Sequence, residues 1–336
     1  MNPEEILNER ILLLDGSMGV ELRKRVPDGN EIKGFSNPHN PISINPDILN
    51  LARPEVVASV HDAYLEAGAD IIETNTFNSN SISQREYDTE HMVRDLNLTG
   101  ARIAVQRARH YTRLNPARPR FVAGVIGPTA FPLSFSTDST DALKGPIDFE
   151  TLEAAYTEQA SALLDGGVDL LLIETIFDLQ NAKAALSGTD HGIRNTGRKV
   201  PIMISMTISE ATGKMVSGHT PEEILPIAAP YLPAAIGFNC VECSDRFTGI
   251  ARRFAKASPY PLILYPNAGL PDSRGEYHIS PEQFLAKLTP LLEDGLINIA
   301  GGCCGTTPDY IYLLNRYISS HYIESNSTKR SYTKRP

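Results

Sequence analysis

The sequence predicts a (β/α)8 barrel on three observations. Eight short apolar, often β-branched runs recur along the 336 residues, a helix-compatible stretch follows each, and the runs end in polar side chains that a core would not hold. The runs are 11–17 (ILLLDGS), 70–76 (DIIETNT), 120–127 (RFVAGVIG), 169–175 (DLLLIET), 201–208 (PIMISMTI), 234–240 (AAIGFNC), 261–267 (PLILYPN) and 297–303 (INIAGGC). Continuous apolar strands alternating with helices build a parallel sheet covered on both faces, and eight such units suffice to close it. A doubly wound open sheet shares the alternation, so closure is an expectation beyond the pattern itself.

The helices announce their starts. Arg53-Pro54-Glu55, Thr220-Pro221-Glu222-Glu223, Ser280-Pro281-Glu282 and Thr307-Pro308-Asp309 each put proline at the first helical position, three of them after a hydroxyl cap. The helix from Pro54 is expected to stop at Gly68, with Val56, Val57, Val60, Ala63, Tyr64 and Ala67 on its buried face. Two strand-to-helix connections are long, about 20–53 and 128–147, as segments that cover a site or meet a partner often are. One barrel domain over 1–320 is expected, followed by a polar, basic, disordered tail over 321–336 with Lys329, Arg330, Lys334 and Arg335.

Composition narrows the function. A formal charge of −9 repels phosphate backbones and argues against nucleic acid as a partner. The acidic start Met-Asn-Pro-Glu-Glu is unlike a signal peptide, and no apolar run reaches the length of a membrane span, so a cytoplasmic location is expected. The four cysteines, Cys240, Cys243, Cys303 and Cys304, fall in two clusters, a distribution that favours metal or redox chemistry over a disulfide framework.

The chemistry is read from the strand ends. Asp15 and Ser17, Glu73 to Thr76, Glu174 and Thr175, Asn239 and Cys240, Asn267, and Cys303 would all stand on one rim of a barrel, the face on which such folds build active sites. Cys303 and Cys304 would point to opposite sides of a regular strand, but Gly301-Gly302 before them and Gly305 after let the chain turn both sulfurs one way. Three thiolates with an open fourth position form a catalytic zinc pattern. Spacing alone leaves other readings open. With Cys243 the cysteines can complete a closed four-cysteine zinc site, Cys240-Val241-Glu242-Cys243 can act as a dithiol, and the glycine-rich turn 301–306 can cradle phosphate in a metal-free lyase or isomerase. Asp15 and Glu174 can accept from the ammonium group of an amino acid, and the Gly16–Gly19 backbone can donate to its carboxylate. Asn75, Thr76 and Ser205 serve equally well as partners of loop backbone.

Five stretches carry a resemblance: Asp15-Gly16-Ser17-Met18-Gly19, 67–78 (AGADIIETNTFN), Gly237-Phe238-Asn239-Cys240, Pro266-Asn267-Ala268-Gly269-Leu270-Pro271 and 301–308 (GGCCGTTP). In this order they resemble the homocysteine-binding module of cobalamin-dependent methionine synthase, over about residues 10 to 320. The resemblance implies zinc on Cys240, Cys303 and Cys304, with the homocysteine sulfur as fourth ligand. It further implies Asp15, Gly16 and Glu174 around the amino acid end, Thr76 in a substrate loop, and Asn267 at the position that can fill the fourth site when substrate is absent. Methylcobalamin on a separate corrinoid-binding protein or domain is the expected methyl donor, because the full enzyme continues into folate, corrinoid and reactivation regions whereas this sequence ends at 336. Betaine-homocysteine methyltransferase shares the zinc chemistry. Its quaternary ammonium donor usually needs an aromatic cage, and the chain has no Trp, though 13 Tyr and 11 Phe. Two features depart from the resemblance: Cys243 is not a zinc ligand of the family, and the connection 128–147 differs from its pattern.

Overall fold

Eight parallel strands, β1 (Leu12–Leu13), β2 (Ile71–Glu73), β3 (Phe121–Ile126), β4 (Leu170–Ile176), β5 (Ile202–Met206), β6 (Ala235–Glu242), β7 (Leu262–Asn267) and β8 (Ile299–Ala300), form one sheet in a computed structural model of the chain. The structure describes residue 7 and residues 9–26, 45–135 and 147–322. The sheet runs β1-β8-β7-β6-β5-β4-β3-β2. It closes through the parallel bridge of Leu14 with Ile71 and the Asp70 N–H donating to the Leu13 carbonyl at 2.7 Å. The alternation therefore resolves as a barrel and not as an open sheet.

Each strand feeds a helix on the outside: α1 (Pro54–Ala67), α2 (Val93–Leu114), α3 (Phe149–Gly166), α4 (Leu179–Thr196), α5 (Ile224–Ala228), α6 (Asp245–Ala257), α7 (Pro281–Glu293) and α8 (Pro308–Tyr322). α1 ends at Gly68 with φ 107°, in the left-handed conformation that glycine adopts without a Cβ clash. On its buried face Ala63 is only half covered, while His61 and Leu65 are buried. Capping boxes start α7 at Ser280 and the turn before α5 at Thr220. α5 is a five-residue remnant because Pro221, Pro226, Pro230 and Pro233 remove backbone donors throughout its segment.

Strand alternation separates two apolar cores. Leu13, Ile72, Val122, Leu171, Ile204, Phe238 and Leu264 face outward and pack against helices such as α1 through Val57, Val60 and Tyr64. Leu12, Leu14, Ile71, Phe121, Leu170, Leu172, Met203, Ala235, Ile263 and Ile299 fill the barrel itself. β6 meets β7 closely: a Cβ at Gly237 would lie 1.7 Å from the Ile263 carbonyl oxygen. Below, at the N-terminal ends of the strands, the buried carboxylate of Asp70 is neutralised by Arg10, Arg118 and Arg120 at 2.7, 2.7 and 3.3 Å. No helix among the described residues is long and apolar enough to cross a membrane.

The long connections are described in part. After β1 a short helix, Met18–Arg25, is capped by Ser17, and the segment returns at Asn45. There Asp47, fully buried, accepts from the Asn78 N–H and the Ser79 hydroxyl, both at 2.8 Å. The remainder of the first connection (27–44), most of the second (136–146) and the tail from 323 lie outside the described residues.

Candidate functional site: a three-cysteine cluster over a carboxylate layer

The inward positions that carry Leu and Ile in the body of the barrel turn polar one step higher. Ile71 is followed by Glu73, Leu172 by Glu174, Met203 by Ser205, Ala235 and Gly237 by Asn239, and Ile263 by Tyr265, all on the same strand faces. Asn239, fully buried, ties this layer together. Its Oδ1 accepts from the Thr175 N–H at 3.0 Å and the Ser205 hydroxyl at 2.7 Å. Its Nδ2 donates to Thr175 Oγ1 at 2.7 Å and to Glu174 Oε2 at 3.3 Å. The Tyr265 hydroxyl donates to the same Glu174 oxygen at 3.0 Å. Burial, joined by a nearby Cys304 charge, pushes the Glu174 carboxyl up to about 7 against that hydrogen bond. Asp15, 1% exposed, is raised by burial and by Glu174, although the Glu73 N–H donates to its Oδ2 at 2.9 Å.

Two strained bends aim the side chains. The β4 ladder slips between Ile173 and Ile176, and the β6 ladder slips between Asn239 and Glu242. In each bulge a non-glycine residue sits in left-handed backbone, Thr175 at φ 57° and Cys240 at φ 53°. Such a conformation costs on the order of 1–3 kcal/mol and persists where surrounding contacts dictate it, here the hydrogen bonds of Asn239 between the two bulges. β8 stops at Ala300, so Cys303 and Cys304 lie in a turn and escape the alternation that would have parted them. The turn is held by Cys303 N–H on the Pro266 carbonyl at 2.9 Å, Cys304 N–H on Asn267 Oδ1 at 3.1 Å and Thr306 N–H on the Cys303 carbonyl at 3.1 Å. At Gly305 (φ 82°) the Tyr277 ring occupies the place a Cβ would need, 2.3 Å away.

The three sulfurs converge. Cys240 Sγ and Cys303 Sγ each lie 3.9 Å from Cys304 Sγ, and all three fall within 4.8 Å of one another. Tetrahedral zinc with bonds of about 2.3 Å spaces its sulfurs by about 3.8 Å, so the cluster fits that ion with little movement. Without a cation the group can hold one negative charge comfortably. S–H donation from Cys240 and Cys303 pulls Cys304 down to about 3, while the hydrogen bonds to Cys240 and Cys304, together with burial, push Cys303 up. For Cys240 a hydrogen bond with Cys303 favours the thiolate, but Cys304 and burial outweigh it and drive the thiol up to about 12. Three soft, mutually repelling ligands are a donor set made for a divalent metal.

Cys243 is elsewhere: 2% exposed, it packs in the outer core with its Sγ 3.6 Å from the Lys287 carbonyl. The closed four-cysteine site and the Cys240–Cys243 dithiol are therefore not formed. The phosphate-cradle reading also fails, because the N–H groups of Gly301, Gly302, Cys303, Cys304 and Thr306 are all spent on protein acceptors.

Among the sequence-predicted site residues, Glu174 and Asn267 adjoin the cluster and Asp15 adjoins Glu174 in the carboxylate layer. Gly16 lies where a Cβ would come within 2.9 Å of both Thr306 Oγ1 and the Tyr64 ring, so only glycine permits this approach of β1 to the last turn. Thr76 stands apart: fully buried, its hydroxyl donates to the Val125 carbonyl at 2.9 Å and pairs with Thr74 Oγ1 at 2.6 Å. Asn75 likewise serves loop backbone, donating to the Pro46 carbonyl at 2.9 Å. Tyr265 and Tyr277 escaped sequence reasoning because an aromatic in an apolar strand or a loop looks like packing. The alternation Ile263, Tyr265, Asn267 was the available signal for the first.

A family model described as homocysteine S-methyltransferase matches residues 12–318. The chain belongs to the homocysteine S-methyltransferase family. It is thus a methyltransferase, and homocysteine methylation is the activity its family supports. The metallated form of the homocysteine methyltransferase MmuM from Escherichia coli superposes with a TM-score of 0.72 at 25% identity, covering 93% of this chain and 98% of that one. The oxidized form of the same protein gives 0.73 at 25% identity, covering 94% and 100%. A B12-independent methionine synthase from Shewanella sp. W3-18-1 shares the fold alone, with a TM-score of 0.51 at 13% identity over 84% of this chain and 91% of that one.

Proposed function

We propose that this methyltransferase holds zinc on Cys240, Cys303 and Cys304 and transfers a methyl group to homocysteine sulfur bound beside them. The observation that carries the reading is the sulfur spacing, 3.9 Å on two sides and within 4.8 Å on the third, which approaches a tetrahedral face and leaves a fourth position for one more sulfur. Zinc bound there supplies a Lewis acid that favours the substrate thiolate at neutral pH, while three cysteinates keep its sulfur electron-rich.

The chain's own residues do the remaining work. Asp15 and Glu174 receive the α-ammonium group, which supplies the positive charge that their burial lacks. Tyr265 and Asn239 fix the Glu174 carboxylate, so the amino acid end is located before the sulfur reacts. The Gly16–Gly19 backbone, where the Met18–Arg25 helix begins, is assigned to the substrate carboxylate, since a helix start offers unpaired N–H donors. Asn267 holds Cys304 in place and its side chain reaches Cys240, ready to yield the fourth position to substrate. Thr76 braces the segment after β2 by bonding to the Val125 carbonyl. The thiol proton leaves to solvent, and the sulfur attacks the methyl carbon in line while the donor departs with the bonding pair.

The donor we assign is a methylated corrinoid presented by another domain or polypeptide, a reading supported by the motifs shared with the cobalamin-dependent enzyme across the barrel. Zinc content and methionine formation test the proposal. About one zinc per chain should be lost in Cys240→Ala, Cys303→Ala and Cys304→Ala. Free methylcobalamin should be demethylated slowly and faster with a corrinoid-binding protein from the same source, since a partner's remote surface positions the cofactor. Efficient turnover with betaine and no corrinoid would overturn the donor while leaving the thiolate chemistry.

A further inference from the structure

A third carboxylate belongs to the layer beneath the sulfurs. Ile71 packs inside the barrel, so Glu73, two residues along β2, faces the same interior. Its backbone N–H is committed to Asp15 Oδ2 at 2.9 Å, which makes the two residues neighbours, and the two carboxylates feel each other's charge. Glu73 as a residue is half-buried, but its Oε1 is fully covered and has no hydrogen-bond partner. The same is true of Oδ1 of Asp15, a side chain that is 1% exposed. Among the described residues none of Asp15, Glu73 and Glu174 is in an ion pair with Lys, Arg or His. The contrast with Asp70 is instructive, because there the fold surrounds one buried carboxylate with three arginines. At the upper layer it leaves three carboxylates within reach of each other's charge and two of their oxygens open.

An ammonium group has three N–H donors. Asp15 Oδ1, Glu73 Oε1 and the Glu174 carboxylate offer one acceptor each, and a cation received among them would relieve their mutual repulsion. We propose that Glu73 is the third wall of the α-ammonium subsite and sets the enzyme's preference for an amino acid thiol over the same thiol without its amino group. The proposal rests on the reading that Asp15 and Glu174 take that ammonium. It assigns Glu73 a binding role beyond bracing Asp15: a thiol lacking the amine leaves buried carboxylate oxygens unpaired and mutually repelling, and a site built around a polar group rejects the analogue without it.

The test compares binding of homocysteine and of 4-mercaptobutanoate, which lacks only the α-amino group, by titration calorimetry on the metal-loaded chain, with zinc content and thermal unfolding measured for every variant. Glu73→Gln keeps the shape and removes the charge. The preference for homocysteine should fall by about tenfold or more, homocysteine binding weakening while the analogue binds as well or better. Glu73→Asp, which restores the charge one methylene shorter, should recover part of the preference, and it stands in should Glu73→Gln fail to fold. Glu174→Gln is the control for the underlying reading. A fall in preference with Glu174→Gln but not with Glu73→Gln overturns the proposal and leaves the subsite standing. No change with either overturns both. Equal weakening of the two thiols in Glu73→Gln shows a merely structural side chain and overturns the proposal as well.

Discussion

Replacing Asn239 with alanine should damage the fold, the proposed metal site and the proposed substrate site together, because one buried amide bonds to the residues that build all three. The side chain accepts from Thr175 N–H at 3.0 Å and Ser205 at 2.7 Å, and donates to Thr175 Oγ1 at 2.7 Å and Glu174 at 3.3 Å. Truncation strands the Thr175 amide inside a bulge at φ 57° and frees the next residue, Cys240, at φ 53°. Each stranded buried group costs about 1–3 kcal/mol, so with two such groups, the Thr175 amide and the Ser205 hydroxyl, a loss of about 2–6 kcal/mol is expected. Outer partners of a metal site are typically worth about 10–100-fold in affinity, and zinc binding should weaken by that order. Homocysteine should bind more weakly too, since Glu174 keeps only Tyr265 as an anchor. Urea unfolding, competition with a colorimetric zinc chelator and calorimetric titration of homocysteine read the three effects. A stability change under about 0.5 kcal/mol with unchanged zinc and homocysteine affinity would refute the claim that Asn239 ties the two bulges to the site.

Three further outcomes are expected. Cys243→Ala should retain full zinc, at a stability cost of about 1 kcal/mol for a small core cavity, whereas loss of zinc equal to that of Cys240→Ala contradicts the three-cysteine assignment. His61 is fully buried with neither ring nitrogen hydrogen-bonded, and burial, then Arg107, lower it from 6.5 to about 3. The unfolded chain therefore takes up a proton that the fold refuses, so His61 contributes stability above pH 6.5 that is lost as pH falls toward 3. His61→Leu should lose less stability than wild type over that window, and coincident pH profiles of unfolding refute this. Gly237→Ala should yield no soluble barrel, because its Cβ would fall 1.7 Å from a backbone oxygen of β7 that cannot retreat without opening the sheet; a soluble variant melting like wild type contradicts the packing.

Much of this was legible in the sequence, for physical reasons. A strand buried on both faces must be continuously apolar, so LLLIET and LILYPN mark their own positions, and a polar residue at the end of such a run has few uses except at the rim. Gly68 and Ser280 likewise mark helix ends through backbone requirements that few residues meet. The bulges at Thr175 and Cys240 left no mark, because both positions are occupied by ordinary residues forced into left-handed backbone by tertiary contacts. For the same reason Asn239 read as one more polar strand end, although it is the hub of the layer, and Tyr265 read as core although its hydroxyl serves Glu174. The exclusion of Cys243 from the cluster follows from the β6 bulge and the packing of its sulfur against α7, neither of which C-x-x-C spacing encodes.

Zinc-edge X-ray absorption on the intact, metal-loaded protein, recorded with and without homocysteine, tests the central claim most directly. Three cysteine ligands with an open position predict three sulfur neighbours at about 2.3 Å in the free protein and four once homocysteine is added. Four sulfurs before substrate, or three both before and after, would contradict a site in which Cys240, Cys303 and Cys304 hold the metal and the substrate sulfur completes it.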